Sequence, residues 1–87
     1  MNIIFSQKAW EEYVAWQNED KKIVIKINEL IKDIARNGML SGLGQPELLK
    51  HALSGLYSRR ISLEHRLIYA QDAHGNLLIV KCSGHFE

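Results

Sequence analysis

Apolar residues recur along this chain with two different periods. Ile23, Ile27, Leu30, Ile31 and Ile34 fall at i, i+4, i+7, i+8 and i+11, while Lys21, Lys22, Lys26, Glu29, Lys32, Asp33 and Arg36 take the remaining faces. This is the pattern of an amphipathic helix with one apolar stripe. Asp20 is placed to cap its start, and Asn37-Gly38 ends it, since glycine tolerates the left-handed conformation common just past a helix. Before it, Gln7 to Gln17 carries Trp10, Tyr13, Val14 and Gln17 at helical spacing, behind a Ser6 N-cap. Its aromatic face, with Trp10 and Trp16, is read as packing against a sheet in preference to forming a ligand platform. The polar faces are mixed in sign, which does not favour an anionic membrane surface.

Elsewhere the pattern is that of strands. Asn2 to Phe5 is a short one that must pair with a later partner. Met39 to Pro46, with Gly42, Gly44 and the only proline, is a loop. Leu48 to Leu53 stays open between strand and turn, and Ser54-Gly55 punctuates it. Leu56 to Leu63 alternates, with Ser58, Arg60 and Ser62 on one face and Tyr57, Arg59, Ile61 and Leu63 on the other. Glu64-His65 makes a tight connection to a strand from Arg66 to Gln71. Asp72 to Asn76 is a hairpin loop, with His74 a solvated turn residue, and leads to Leu77–Ser83. That last run is nearly continuous in apolar residues and is expected to be central and covered on both faces. The order implies one α+β domain over residues 1–87: an N-terminal strand, a two-helix hairpin, then an antiparallel sheet of three to four strands.

Composition narrows the chemistry. The net charge is +1, so any nucleic-acid site must come from local clustering. Residues 1–44 hold six Lys/Arg against six Asp/Glu, interleaved as on solvated helices. Residues 45–87 hold five against four, three of the five being Arg, together with all four His. Cys82 is alone, so no internal disulfide and no multi-cysteine metal site is expected, and it is read as buried packing. The histidines lack ligand spacing such as His-x3-His, so neither a metal nor another cofactor is expected. The start, Met-Asn-Ile-Ile-Phe, has no basic region followed by a long apolar run. No secretory signal or membrane span is expected, and a reduced, cytoplasmic setting fits.

Between Glu47 and Tyr69 the chain gathers Lys50, His51, Arg59, Arg60, His65 and Arg66. Cations on a pleated surface are poor core material, so an anionic partner is expected. Metal-free RNA cleavage needs a base for the ribose 2′-OH, a cation for the phosphate and an acid for the leaving 5′-oxygen. The chain offers the Glu47 carboxylate, the Arg66 guanidinium and the His85 imidazole, with Phe86 beside it to stack on a base. By themselves these residue types fit many small domains, and a carboxylate directly after Pro46 is ordinarily a surface residue.

The pattern Leu-Lys-His-x-Leu-Ser-Gly-x-Tyr-Ser-Arg-Arg-Ile, followed by Glu-His-Arg-Leu-Ile-Tyr, resembles the YoeB-type toxins of bacterial toxin–antitoxin pairs, within the RelE/ParE group. The resemblance extends through Ala9-Trp10, Trp16-Gln17, Asp20–Val24, Lys26–Asp33 and Gly44–His51. It implies a fold akin to microbial ribonucleases and mRNA cleavage in the ribosomal A site. It also implies a homodimer and a cognate antitoxin of the YefM/Phd kind. Carried over by residue, Glu47 would be the general base, Arg66 the phosphate stabiliser and His85 the general acid. Lys50, His51, Arg59 and Arg60 would contact mRNA or ribosomal RNA. One departure stands out: the family closes with His-Tyr, whereas this chain ends His85-Phe86-Glu87. Phe86 keeps the ring and loses the hydroxyl, Glu87 adds a carboxylate, and Ser83-Gly84 is small where bulkier residues are common.

Three readings follow from the resemblance. The first is a ribosome-dependent endoribonuclease, whose modest charge fits an enzyme that borrows affinity from the ribosome. The second is a catalytically weakened homologue that acts mainly as an antitoxin-binding, corepressing module. The third, a gyrase poison on the same fold, is disfavoured because that branch does not need Glu47, Arg66 and His85 together.

Overall fold

The computed structural model describes residues 1–85. Strand β1 (Ile3–Phe5) runs directly into helix α1 (Gln7–Glu19), because the Ser6 hydroxyl accepts the Ala9 amide at 3.0 Å and caps the first turn. Asp20 then serves two helices at once. Its amide donates to the Trp16 carbonyl at the end of α1, and its carboxylate accepts the Lys22 amide at the start of α2 (Lys21–Asn37). The hairpin therefore turns on a single residue. Helix α2 buries Val24, Ile27, Leu30, Ile31 and Ile34, with Ile23 only half-buried, so the stripe is rotated slightly from the predicted one. Each such burial contributes about 1.5–3 kcal/mol. Gly38, at φ 96°, stops the helix as expected.

The sheet has five strands: β1, β2 (Glu47–Leu48), β3 (Tyr57–Arg60), β4 (Arg66–Gln71) and β5 (Leu77–Lys81), in the order β1-β5-β4-β3-β2. The last four pair antiparallel, as expected. β1 pairs parallel with β5, a geometry that the long intervening chain, which runs through both helices and the other three strands, permits. The open segment after Pro46 resolves into the two-residue β2 and a short 3-10 helix, His51–Leu53. Strand β3 stops at Arg60, short of the predicted Leu63. The reason is local: the Ser62 hydroxyl accepts the amides of Glu64 and His65, at 3.3 and 3.2 Å, and closes a turn there.

The expectation for the last strand needs correction. The middle strand is β4; β5 lies between β1 and β4, with Leu77 and Ile79 buried and Leu78 and Val80 only half-buried. Its apolar run is continuous for another reason. Tyr69 pairs with Ile79 but Ile68 pairs with Lys81, so Val80 is an extra residue, a β-bulge. Strict alternation from Leu77 would drive Lys81 into the core and Cys82 out of it. The bulge reverses that phase, leaving Lys81 half-exposed and Cys82 fully buried. Ser6 secures the bulge, its hydroxyl donating to the Val80 carbonyl at 2.9 Å.

Burial, and secondarily the Glu12 carboxylate, push the Cys82 thiol up to about 12. Native protein at pH 8 is therefore expected to resist alkylation by iodoacetamide, with one equivalent reacting once denaturant is added; rapid labelling of folded protein would contradict this placement. Among the described residues no helix is long and apolar enough to cross a membrane.

Candidate active site

The adjacent arginines of β3 point to opposite faces of the sheet, and their surroundings differ completely. Arg59 faces the helices and is fully buried. Its Nε donates to the Tyr69 hydroxyl at 2.9 Å and its Nη1 to Asp33 at 2.6 Å and the Leu43 carbonyl at 2.9 Å. Its Nη2 donates to the carbonyls of Gly38 and Ser41, both at 2.8 Å. All the donors of the guanidinium are thereby used. The expectation that Arg59 contacts RNA is overturned: it is the hub on which the loop from Gly38 to Leu43 is wound. The Leu43 amide, followed by Arg59 and Asn37, holds the Asp33 carboxyl below the usual carboxylate range. Gly42, at φ 112°, lies so close to Asp33 that a Cβ there would stand 2.0 Å from the carboxylate oxygen. The loop's exit, Gln45-Pro46-Glu47, is thus delivered to the opposite face from a rigid base, with Gln45 itself at φ 53°.

On that opposite face the registers assemble a cleft. Glu47 sits across from Ser58, and Arg60 sits across from Arg66. Directly opposed residues share a face, and so do Ser58 and Arg60, two apart on β3. His85 joins from the arm beyond β5, because the Arg66 amide donates to the Gly84 carbonyl at 3.0 Å. The result is a cleft of about 360 Å³ lined by Gln45, Pro46, Glu47, Ser58, Arg60, Arg66 and His85. The three residues assigned acid–base and phosphate roles by resemblance, Glu47, Arg66 and His85, come together here from three separate elements. Arg66 Nη1 donates to the carbonyls of Ser62, Leu63 and His65, at 2.8, 3.3 and 3.2 Å. Among the described residues its Nε and Nη2 make no hydrogen bond, which leaves a two-pronged edge for a phosphate.

Lys50 and His51 are exposed but lie outside the cleft lining, beyond the end of β2. Phe86, assigned to base stacking, lies outside the described residues, as does Glu87. Gln45 and Ser58 are cleft residues that sequence reasoning missed. For Ser58 a signal existed, since alternation sets it on the same face as Arg60. Among the described residues no three His, Cys, Asp or Glu side chains are grouped to share a metal ion.

Comparison with known proteins decides the family. Residues 5–86 match the model of the YoeB-like toxin of bacterial type II toxin-antitoxin systems. The chain belongs to the YoeB toxin family. Toxin YoeB of Escherichia coli strain K12 is 52% identical over 86 residues, covering 99% of this chain and all of that protein. YoeB in a heterotetrameric YoeB-YefM toxin-antitoxin complex from Staphylococcus aureus superposes with a TM-score of 0.90 at 52% identity, covering 99% of this chain and 98% of that one. A YoeB dimer from Staphylococcus aureus gives 0.91 at 52% identity, with the same coverage. The family read from residues 47–69 thus extends across nearly the whole chain, and the α+β architecture is that of the YoeB toxins.

Arg60 is the cation of the double-arginine pair that remains available. It is exposed and makes no side-chain hydrogen bond among the described residues. Arg60→Ala is expected to leave the melting temperature unchanged and to weaken binding of a short RNA probe roughly ten-fold at low salt, less at high salt. Titrations at two ionic strengths beside a thermal melt check both halves.

Proposed function

We propose that this YoeB-family toxin is a ribosome-dependent mRNA endoribonuclease that cuts in the A site. The observation that carries the reading is the convergence of Glu47, Arg66 and His85, with Arg60, on one open cleft. Glu47 takes the proton from the ribose 2′-OH, and the freed oxygen attacks the adjacent phosphorus. Charge gathers on the non-bridging oxygens as the phosphorane forms. Arg66 presents Nε and Nη2 to them, and Arg60 adds a second cation. His85 protonates the departing 5′-oxygen, leaving a 2′,3′-cyclic phosphate and a 5′-hydroxyl. The net charge is only +1, so affinity for naked RNA should be weak and the ribosome should supply the rest. The likeness to a YefM-bound YoeB and to a YoeB dimer supports a cognate YefM-type antitoxin and a homodimer for this chain.

The test is cleavage of a defined mRNA in a purified translation system, with and without ribosomes, ends being mapped by primer extension. Cuts at A-site codons that need ribosomes are expected. Equal cutting of naked mRNA would overturn ribosome dependence. No cutting by folded protein would favour the antitoxin-binding reading, which rests on Phe86 standing where the family carries tyrosine.

A further inference from the structure

Among the described residues, the arm that carries His85 beyond β5 has no strand partner of its own, so something must hold it to the cleft. Four contacts do. Glu12 on α1 accepts the Cys82 amide at 2.7 Å, and Trp16 Nε1 donates to the Cys82 carbonyl at 3.0 Å. The Arg66 amide donates to the Gly84 carbonyl, and the Gly84 amide donates to His65 Nδ1 at 2.8 Å. The first two fix the root of the arm. The last two seize both polar backbone groups of the residue immediately before His85.

Of the four, the His65 contact is the one with a chemical requirement. A backbone N–H can only donate, so Nδ1 must offer a lone pair, which makes the ring the neutral tautomer with its proton on Nε2. The ring is held in a T-shaped contact with Trp16, 4.8 Å between centroids and 79° between planes. Its own backbone is locked as well: the carbonyl accepts the Ile61 and Ser62 amides at 3.0 and 3.2 Å. Gly84 lies at φ 76°, a left-handed conformation that a single hydrogen bond from each side keeps in place.

We propose that His65 is a positioning residue for His85: its Nδ1 grips the Gly84 amide and thereby aims the terminal arm into the cleft. The claim rests on the reading of His85 as the general acid. A proton donor held loosely loses turnover more than substrate affinity, because only the transition state needs it in place.

Two variants separate positioning from packing. His65→Phe keeps an aromatic ring against Trp16 but has no acceptor. His65→Asn loses the ring but places Oδ1 close to where Nδ1 stood. In the ribosomal assay His65→Phe is expected to lower kcat roughly 10–100-fold with KM near that of the natural protein. His65→Asn is expected to recover most of that loss although it packs less well. If instead both variants lose activity in step with their melting temperatures, Asn the worse, or if His65→Phe turns over normally, the proposal is overturned. A readout independent of catalysis keeps the two ideas apart. Gly84 amide exchange, followed by NMR, should be slow in the natural protein and His65→Asn and fast in His65→Phe. The long-range imidazole spectrum of His65 should show Nδ1 unprotonated. Unchanged exchange in His65→Phe, or the opposite tautomer, overturns the positioning role. Full cleavage by His85→Ala would instead overturn the acid assignment, with the exchange result still standing for the arm.

Discussion

Replacing Arg59 with alanine should unfold this domain or bring it to the edge of unfolding, while the same change at Arg60 should not. Removing one member of a buried ion pair costs about 3–5 kcal/mol, against roughly 5–15 kcal/mol of total stability for a small domain. Arg59 has more to lose than a pair. Its removal takes the guanidinium donors from the carbonyls of Gly38, Ser41 and Leu43, and leaves the Tyr69 hydroxyl with Met39 alone and the Asp33 carboxylate with only the Leu43 amide and Asn37. For that reason the double change Arg59→Met with Asp33→Leu should fail to restore stability, although such swaps are often neutral for an isolated buried pair. Urea unfolding of the three variants checks this, and recovery in the double variant would mean that the ion pair, not the loop carbonyls, is what Arg59 serves. The same hub predicts an acid response. The folded-state pKa of Asp33 is lowered, so its contribution is complete above the ordinary carboxylate value near 3.8 and is lost as pH falls through the depressed one. Asp33→Asn should therefore flatten the acid end of the stability profile.

The second large effect is on chemistry. In the proposed reaction, Glu47→Gln and His85→Ala should each lower the rate of ribosomal cleavage by about 10²–10⁴-fold, the range for loss of a general base or acid. Both side chains are exposed, so neither change should move the melting temperature by more than a degree or two. Both variants should still bind a YefM-type antitoxin. Loss of binding with loss of cleavage would mark the residue as structural. Arg66 is a poorer subject for this test, because its Nη1 also ties the Ser62–His65 turn, so its truncation mixes catalysis with folding.

What the sequence could and could not reveal follows from the range of each interaction. The helix stripe, the Ser6 and Asp20 caps and the Gly38 stop depend on residues a turn or less apart, and the spacing exposes them. Arg59 and Arg60 are chemically identical neighbours. Alternation says that they face opposite ways but not which way is inward. That depends on Asp33, which sits at the border of the α2 stripe, 26 residues away. A carboxylate at such a border was the available hint. The end of β3 was missed because Ile61 and Leu63 continue the alternation, while the Ser62 hydroxyl overrides it. Glu47, Arg66 and His85 were grouped as candidates through resemblance, since nothing local says that a residue after Pro46 and one near the C-terminus share a cleft with the start of β4. Their meeting is a matter of register between strands.

The bulge at Val80 makes the distance along the chain from β5 to His85 count in whole residues. Ahead of it, the loop from Asp72 to Asn76 can gain or lose a residue and the sheet will still close. Beyond it, deleting Lys81 would put Cys82 in the outward position, bring Ser83 inward and pull the arm one residue out of step with Arg66. The last strand thus acts as a vernier. It is set one notch out of step with its neighbour, and that notch decides which way the final histidine looks.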